Sequence, residues 1–194
     1  MKDKPKNTKD WLKKHWSNLL FAVFLILMLI PKTRTPIQVA VNRIFSFSPS
    51  VIKEDKQEQL NTLNWQFVQL HGNETNLIES KGRPVLINIW ATWCPPCIAE
   101  MPSLQKLYND YKDQVDFYFV ANDNPDAVER FMNKHKYSFP VYFGASNPPN
   151  QLESSSLPTT FLMDQNAFIL VDKVGAANWN SDSFRKQLDE LIAQ

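Results

Sequence analysis

Cysteine is nearly absent from the chain, with only Cys94 and Cys97 among 194 residues. A disulfide-stapled scaffold is therefore excluded, and so is a second cysteine pair elsewhere in this chain. Histidine is almost as rare, at His15, His71 and His135. A zinc site needs about four ligands, and two adjacent cysteines with three scattered histidines do not supply one. Glycine is scarce too, with four residues, low for a globular chain. Excess charge is lacking: the formal net charge is +1, so there is no electrostatic case for a nucleic-acid partner. There is no internal repeat. What remains is an ordinary apolar fraction of 43%, rich in aromatics and enough for a core.

Both cysteines fall in one motif, Trp93-Cys94-Pro95-Pro96-Cys97. The apolar run 85–90 before it reads as a buried strand. After it, Leu104, Leu107, Tyr108 and Tyr111 recur at helical spacing. The pair therefore sits where a strand turns into a helix. Cys94 is expected at the helix N-terminus, where the partial positive charge and free backbone N–H groups favour its thiolate. The thiolate is the form that attacks disulfides. Pro95 and Pro96 lack N–H groups at a point where helical donors are orphaned anyway, which leaves the N–H of Cys97 to face the Cys94 sulfur. Cys94 is the expected nucleophile and Cys97 the resolving thiol. Haem attachment would want His after the second cysteine, where Ile98 stands. A structural disulfide closing so short a loop would restrict the unfolded chain little.

Residues 1–18 carry six lysines against Asp3 and Asp10 and are expected to form a cytoplasmic basic segment. The uninterrupted apolar run 19–30 ends at Pro31, and residues 19–31 are expected as a transmembrane signal anchor. Its rival is a cleaved signal peptide, although no convincing small-x-small site follows. The lysine excess before the run puts the N-terminus in the cytoplasm and the remainder outside it. Residues 32–63 read as a juxtamembrane segment and linker. Within it Ile37, Val41, Ile44 and Phe45 keep helical spacing, fitting a helix laid on the membrane or packed on the domain.

Residues 64–194 form the expected domain. Strands are expected at 65–70, 84–90, 115–121, 140–143, 159–163 and 168–174, with a short strand or helical turn at 77–80. Helices are expected at 94–111, containing Pro102, at 125–136 behind an Asn124 cap, and after Ser181. Residues 144–157 read as a surface loop, and Asp164-Gln165-Asn166 as a hairpin turn.

From residue 65 onward the chain resembles the thioredoxin superfamily, and within it the membrane-anchored TlpA/ResA/DsbE-like thiol–disulfide oxidoreductases. The likeness rests on residues 86–97 (LINIWATWCPPC), then Glu100 and Pro102, then residues 157–162 (LPTTFL). It implies an α/β thioredoxin fold: a mixed central sheet with helices on both faces, plus the helix and strand that this branch inserts between Ala121 and Pro158. Pro158 aligns with the family's cis-proline facing the CxxC. The backbone at Leu157 is then expected to pair with the substrate chain as an added strand; the alternative is a trans-proline at a strand start. Glu100 matches the branch's acidic residue three positions after the second cysteine, and Asn88 stands where plain thioredoxin has a buried aspartate. Glu100 is expected to accept a proton from Cys97, the alternative being a solvent-facing helix glutamate. Trp93 is expected to cover the pair and meet partners, with Trp90 in the core.

The resemblance implies no metal and no organic cofactor. It implies protein thiol or disulfide substrates, a reductant role such as keeping apocytochrome c thiols reduced, and electrons from a membrane thiol carrier of the DsbD/CcdA type. Two other readings remain at the level of sequence: an oxidant that inserts disulfides, and a binding or chaperone-like module with an incidental CxxC.

Overall fold

Strand β3 (Val85–Trp90) is apolar at every position but Asn88, and five of its six residues are buried. A strand buried on both faces belongs at the centre of a sheet, and β3 lies between a parallel and an antiparallel neighbour. The computed structural model describes residues 8–193. Among these, seven strands form one mixed sheet. Its strands are β1 (Gln66–Gln69), β2 (Glu74–Asn76), β3, β4 (Asp116–Ala121), β5 (Val141–Gly144), β6 (Thr159–Met163) and β7 (Ile169–Val174). They lie in the order β2-β1-β5-β4-β3-β6-β7.

The described chain divides into two units, one ending at Gln38 and one beginning at Val39. The first contains helix α1 (Thr8–Leu29); helix α2 (Pro31–Phe45) begins there and ends in the second. Along α1, Leu20, Phe21, Phe24 and Leu25 are exposed. Among the described residues no helix is long and apolar enough to cross a membrane. The span expected at 19–31 is not shown by the described helices. The strictly apolar run 19–30 gives about 18 Å of helix, so a span across a hydrocarbon core about 30 Å thick would have to take in its flanks as well. Residues 1–7 of the basic segment expected at 1–18 lie outside the described residues, and the remainder belongs to α1.

Alternation along the strands sorts the second unit's core into two layers. Leu86, Trp90, Phe117, Phe119, Leu162 and Val171 face one way. Helices α3 (Pro95–Tyr111), α4 (Pro125–His135) and α5 (Asp182–Ile192) pack on them through Met101, Leu104 and Leu107, through Val128 and Phe131, and through Phe184 and Leu188. Val85, Ile87, Tyr118, Val120 and Phe161 face the other way. That face was expected to carry helices too. Among the described residues its helical cover is two 3-10 turns, Leu77–Ser80 and Asn150–Leu152, which place Leu77 and Leu152 in the layer. The second turn lies within the stretch read as a plain loop. Trp65 and Leu60 complete the cover.

The polar stretch read as a linker is bonded to the sheet. Ile52 N–H donates to Leu170 O at 2.7 Å, Ile169 N–H to Glu58 O at 2.8 Å and Leu60 N–H to Ala167 O at 2.9 Å. Residues 52–60 thus bond to the turn before β7 and to its first two residues, Ile169 and Leu170, with Gln59 bridged antiparallel to Phe168. Composition alone did not reveal this, because hydrogen bonds through the backbone leave no side-chain pattern.

Candidate active site

The C-terminal end of β3 and the start of α3 bring the cysteines together. After Trp90 the chain turns, and the turn is held by Asp123, which follows β4. One Asp123 carboxylate oxygen accepts from the Thr92 N–H at 3.1 Å and also from the Thr92 hydroxyl. Its other oxygen accepts from the Asn124 N–H at 2.7 Å. Burial works to raise the Asp123 carboxyl, but the bonds from Thr92 and Asn124 outweigh it and hold it below the usual carboxylate range. Sequence reasoning did not single out Asp123, because the contact spans 31 residues.

Cys94 is the N-cap of α3, followed by Pro95 and Pro96 in the first turn. Its sulfur accepts the Cys97 N–H at 3.3 Å. The two cysteines are joined as a disulfide with Cα atoms 5.3 Å apart. Both are almost wholly buried, Cys94 at 3% exposure and Cys97 at 0%. Trp93 beside them is 64% exposed, an apolar surface next to the reactive atoms. The Leu157–Pro158 peptide bond is cis. It immediately precedes β6, whose first residue, Thr159, pairs with Ile89 near the C-terminal end of β3, so the cis bond lies at the CxxC end of the sheet. Pro158 O accepts from the Gly175 N–H at 2.9 Å.

Glu100 lies one turn beyond Cys97, and it is 1% exposed rather than facing solvent. Its Oε1 accepts from Asn88 Nδ2 at 2.8 Å. Its Oε2 accepts from Trp179 Nε1 at 2.8 Å and from the Ala177 N–H at 3.2 Å. Burial pushes the carboxyl up to about 7, against the pull of these three donors and of Lys173. Asn88 Nδ2 donates also to Thr160 Oγ1 at 2.7 Å, because Asn88 and Thr160 are register partners across β3 and β6. Trp179, Ala177 and Thr160 were not found from sequence. A lone tryptophan 79 residues from its partner carries no spacing signal. Among the described residues no group of histidine, cysteine and carboxylate side chains could hold a metal ion.

The redoxin family model matches residues 49–188. The chain belongs to the redoxin family. Within that family it is 35% identical over 111 residues to the thiol-disulfide oxidoreductase ResA of Halalkalibacterium halodurans, covering 56% of this chain and 63% of that one. It is 31% identical over 123 residues to the thioredoxin-like protein YneN of Bacillus subtilis, covering 61% of this chain and 72% of the relative. A crystal structure of a thiol:disulfide interchange protein of the thioredoxin family from Chlorobium tepidum superposes with a TM-score of 0.54 at 20% identity. That match covers 75% of this chain and 96% of the other, and it shows the shared fold. This redoxin is a protein-disulfide oxidoreductase of the TlpA/ResA-like kind, with Cys94 and Cys97 as its close cysteine pair.

Proposed function

We propose that this redoxin works as a reductant of protein disulfides. The observation that carries the reading is the setting of the pair. Cys94 Sγ receives one backbone N–H, from Cys97, while a buried carboxylate lies one turn further along the same helix. Few donors and a nearby negative charge disfavour a stable thiolate. A dithiol whose thiolate is poorly stabilised gives up its electrons readily.

In the forward reaction the Cys94 thiolate attacks one sulfur of a substrate disulfide, and the other substrate sulfur leaves as a thiolate. Glu100 then takes the proton of the Cys97 thiol. The Cys97 sulfur attacks Cys94 Sγ, the bond from Cys94 to the substrate breaks, and the second substrate thiolate departs. The product is the disulfide state described above. Trp93 and the backbone at Leu157 and Pro158 receive the substrate chain, with Pro95, Pro96 and Asn88 shaping the site around the pair.

Apocytochrome c thiols are the proposed clients, and a membrane dithiol carrier of the DsbD/CcdA type the proposed electron source. Attachment to the inner membrane, with the domain outside the cytoplasm, rests on the apolar run 19–30 and the lysines before it. Protease added to spheroplasts is expected to digest the domain.

The reduction potential of the Cys94/Cys97 couple, measured by equilibration with dithiothreitol or glutathione buffers, tests the direction. A value near or below roughly −250 mV, close to that of thioredoxin, supports the reductant. A value near about −120 mV, the range of a strong oxidant, reverses the direction while keeping the site. Failure to form a reversible disulfide overturns the reading in favour of a binding module.

A further inference from the structure

The three donors on Glu100 are not equivalent. The Trp179 indole and the Ala177 backbone offer N–H groups and nothing else, and both are aimed at Oε2. A proton arriving on Oε2 would meet two donors that cannot turn round. Oε1 has one partner, Asn88, whose amide carries an acceptor as well as donors. That acceptor, Asn88 Oδ1, is buried and has no hydrogen-bond partner. An unpaired buried carbonyl is costly, and a second arrangement would relieve it. Thr160 permits one. Its hydroxyl accepts from Nδ2 at 2.7 Å, and a hydroxyl can equally well donate.

We propose that Asn88 is a positioning residue whose amide turns over when Glu100 takes up a proton, directing that proton to Oε1. With Glu100 ionised, Nδ2 donates to Oε1 and to Thr160 Oγ1. With Glu100 protonated, the amide rotates by half a turn, and Oδ1 accepts from the Oε1–H and from the Thr160 hydroxyl. The rotation leaves the two amide N–H groups unpaired. The unpaired donors favour return to the ionised arrangement, so the carboxylate is ready for the next cycle. All three side chains are fully or almost fully buried, Asn88 at 0% and Glu100 and Thr160 at 1%. The charged group acting on Glu100 is Lys173 on β7, and the Cys94–Cys97 pair lies one turn before it on α3. The segment carrying Ala177 and Trp179 presents N–H donors to it.

The inference rests on Glu100 as the proton acceptor, and nuclear magnetic resonance separates the two. The full-length oxidised protein in detergent, labelled at the glutamate side-chain carboxyl carbons and the asparagine amides, is titrated through neutral pH. The Glu100 carboxyl signal and the Asn88 NH2 signals are expected to move with one midpoint, the amide protons shifting upfield as they lose their acceptors. If Glu100 titrates and the Asn88 signals stay fixed, the turnover is wrong while the proton acceptor stands. If Glu100 does not titrate, the proton-acceptor reading fails and takes this one with it.

Asn88→Leu removes the donor to Oε1. It is expected to raise the Glu100 midpoint by about one pH unit and to carry the pH profile of the resolving step up with it. An unchanged midpoint in that variant also overturns the proposal.

Discussion

The two faces of the sheet each bury a polar cluster, and they bury it differently. On the face covered by 3-10 turns, the Ser80 hydroxyl and the Tyr118 hydroxyl pair at 2.8 Å. Burial raises the Tyr118 hydroxyl above the ordinary tyrosine value, which keeps it neutral at physiological pH. On the helical face, Asn88, Trp179 and the Ala177 N–H surround the Glu100 carboxylate, which burial pushes up to about 7, and the Asn88 amide oxygen is left unpaired. A paired, neutral cluster serves packing. A titratable and incompletely paired one costs stability, and it sits one helical turn from the reactive cysteine pair.

The sharpest way to break this contrast is Cys94→Ser. It is expected to abolish disulfide reduction while leaving the denaturation midpoint of the reduced protein nearly unchanged, read by insulin reduction and by urea unfolding. Next is Glu100→Gln, which should slow the resolving step by about 10²–10⁴-fold in stopped-flow measurements.

The same variant also tests stability against pH. The folded carboxyl sits near 7 against 4.5 for the free group, so the wild type is expected to lose roughly 3 kcal/mol as pH rises between those values. The sign follows from the raised folded value. The contribution is complete below the unfolded pKa and gone above the folded one, and in Glu100→Gln the slope disappears.

On the opposite face, Leu77→Ala removes a fully buried side chain. It should cost about 2–5 kcal/mol with the turnover per folded molecule unchanged. Smallest is Tyr118→Phe, which leaves the Ser80 hydroxyl without its partner. It should cost about 1 kcal/mol and add no pH dependence between 4.5 and 7. A large activity loss from either of these two variants would erase the distinction between the faces.

The helical face was the more legible of the two in the sequence. The run into Trp90, the CxxC and the 3.6-residue spacing through Tyr111 sit within 27 residues, so local periodicity captures them. The Asn124 cap followed by Pro125 marked α4, which begins at Pro125. The other face is built from pieces too short for any period: a three-residue β2, a four-residue 3-10 turn at 77–80 and a three-residue one at 150–152. The site divides likewise. Glu100 lies on the same helix as the cysteines and could be read from spacing. Trp179 and Thr160 reach it through tertiary packing and strand register, which one sequence does not display.

The segment laid along β7 bears on how the molecule keeps company. A protein-disulfide oxidoreductase must admit a foreign extended chain without pairing, edge to edge, with copies of itself. Residues 52–60 cover the start of β7's outer edge, at Ile169 and Leu170, by backbone hydrogen bonds, and the opposite edge of the sheet is β2, only three residues long. Neither margin offers a long, bare template for self-association. The exposed Trp93 and the cis-proline stand away from both margins, at the loop ends beside the cysteine pair.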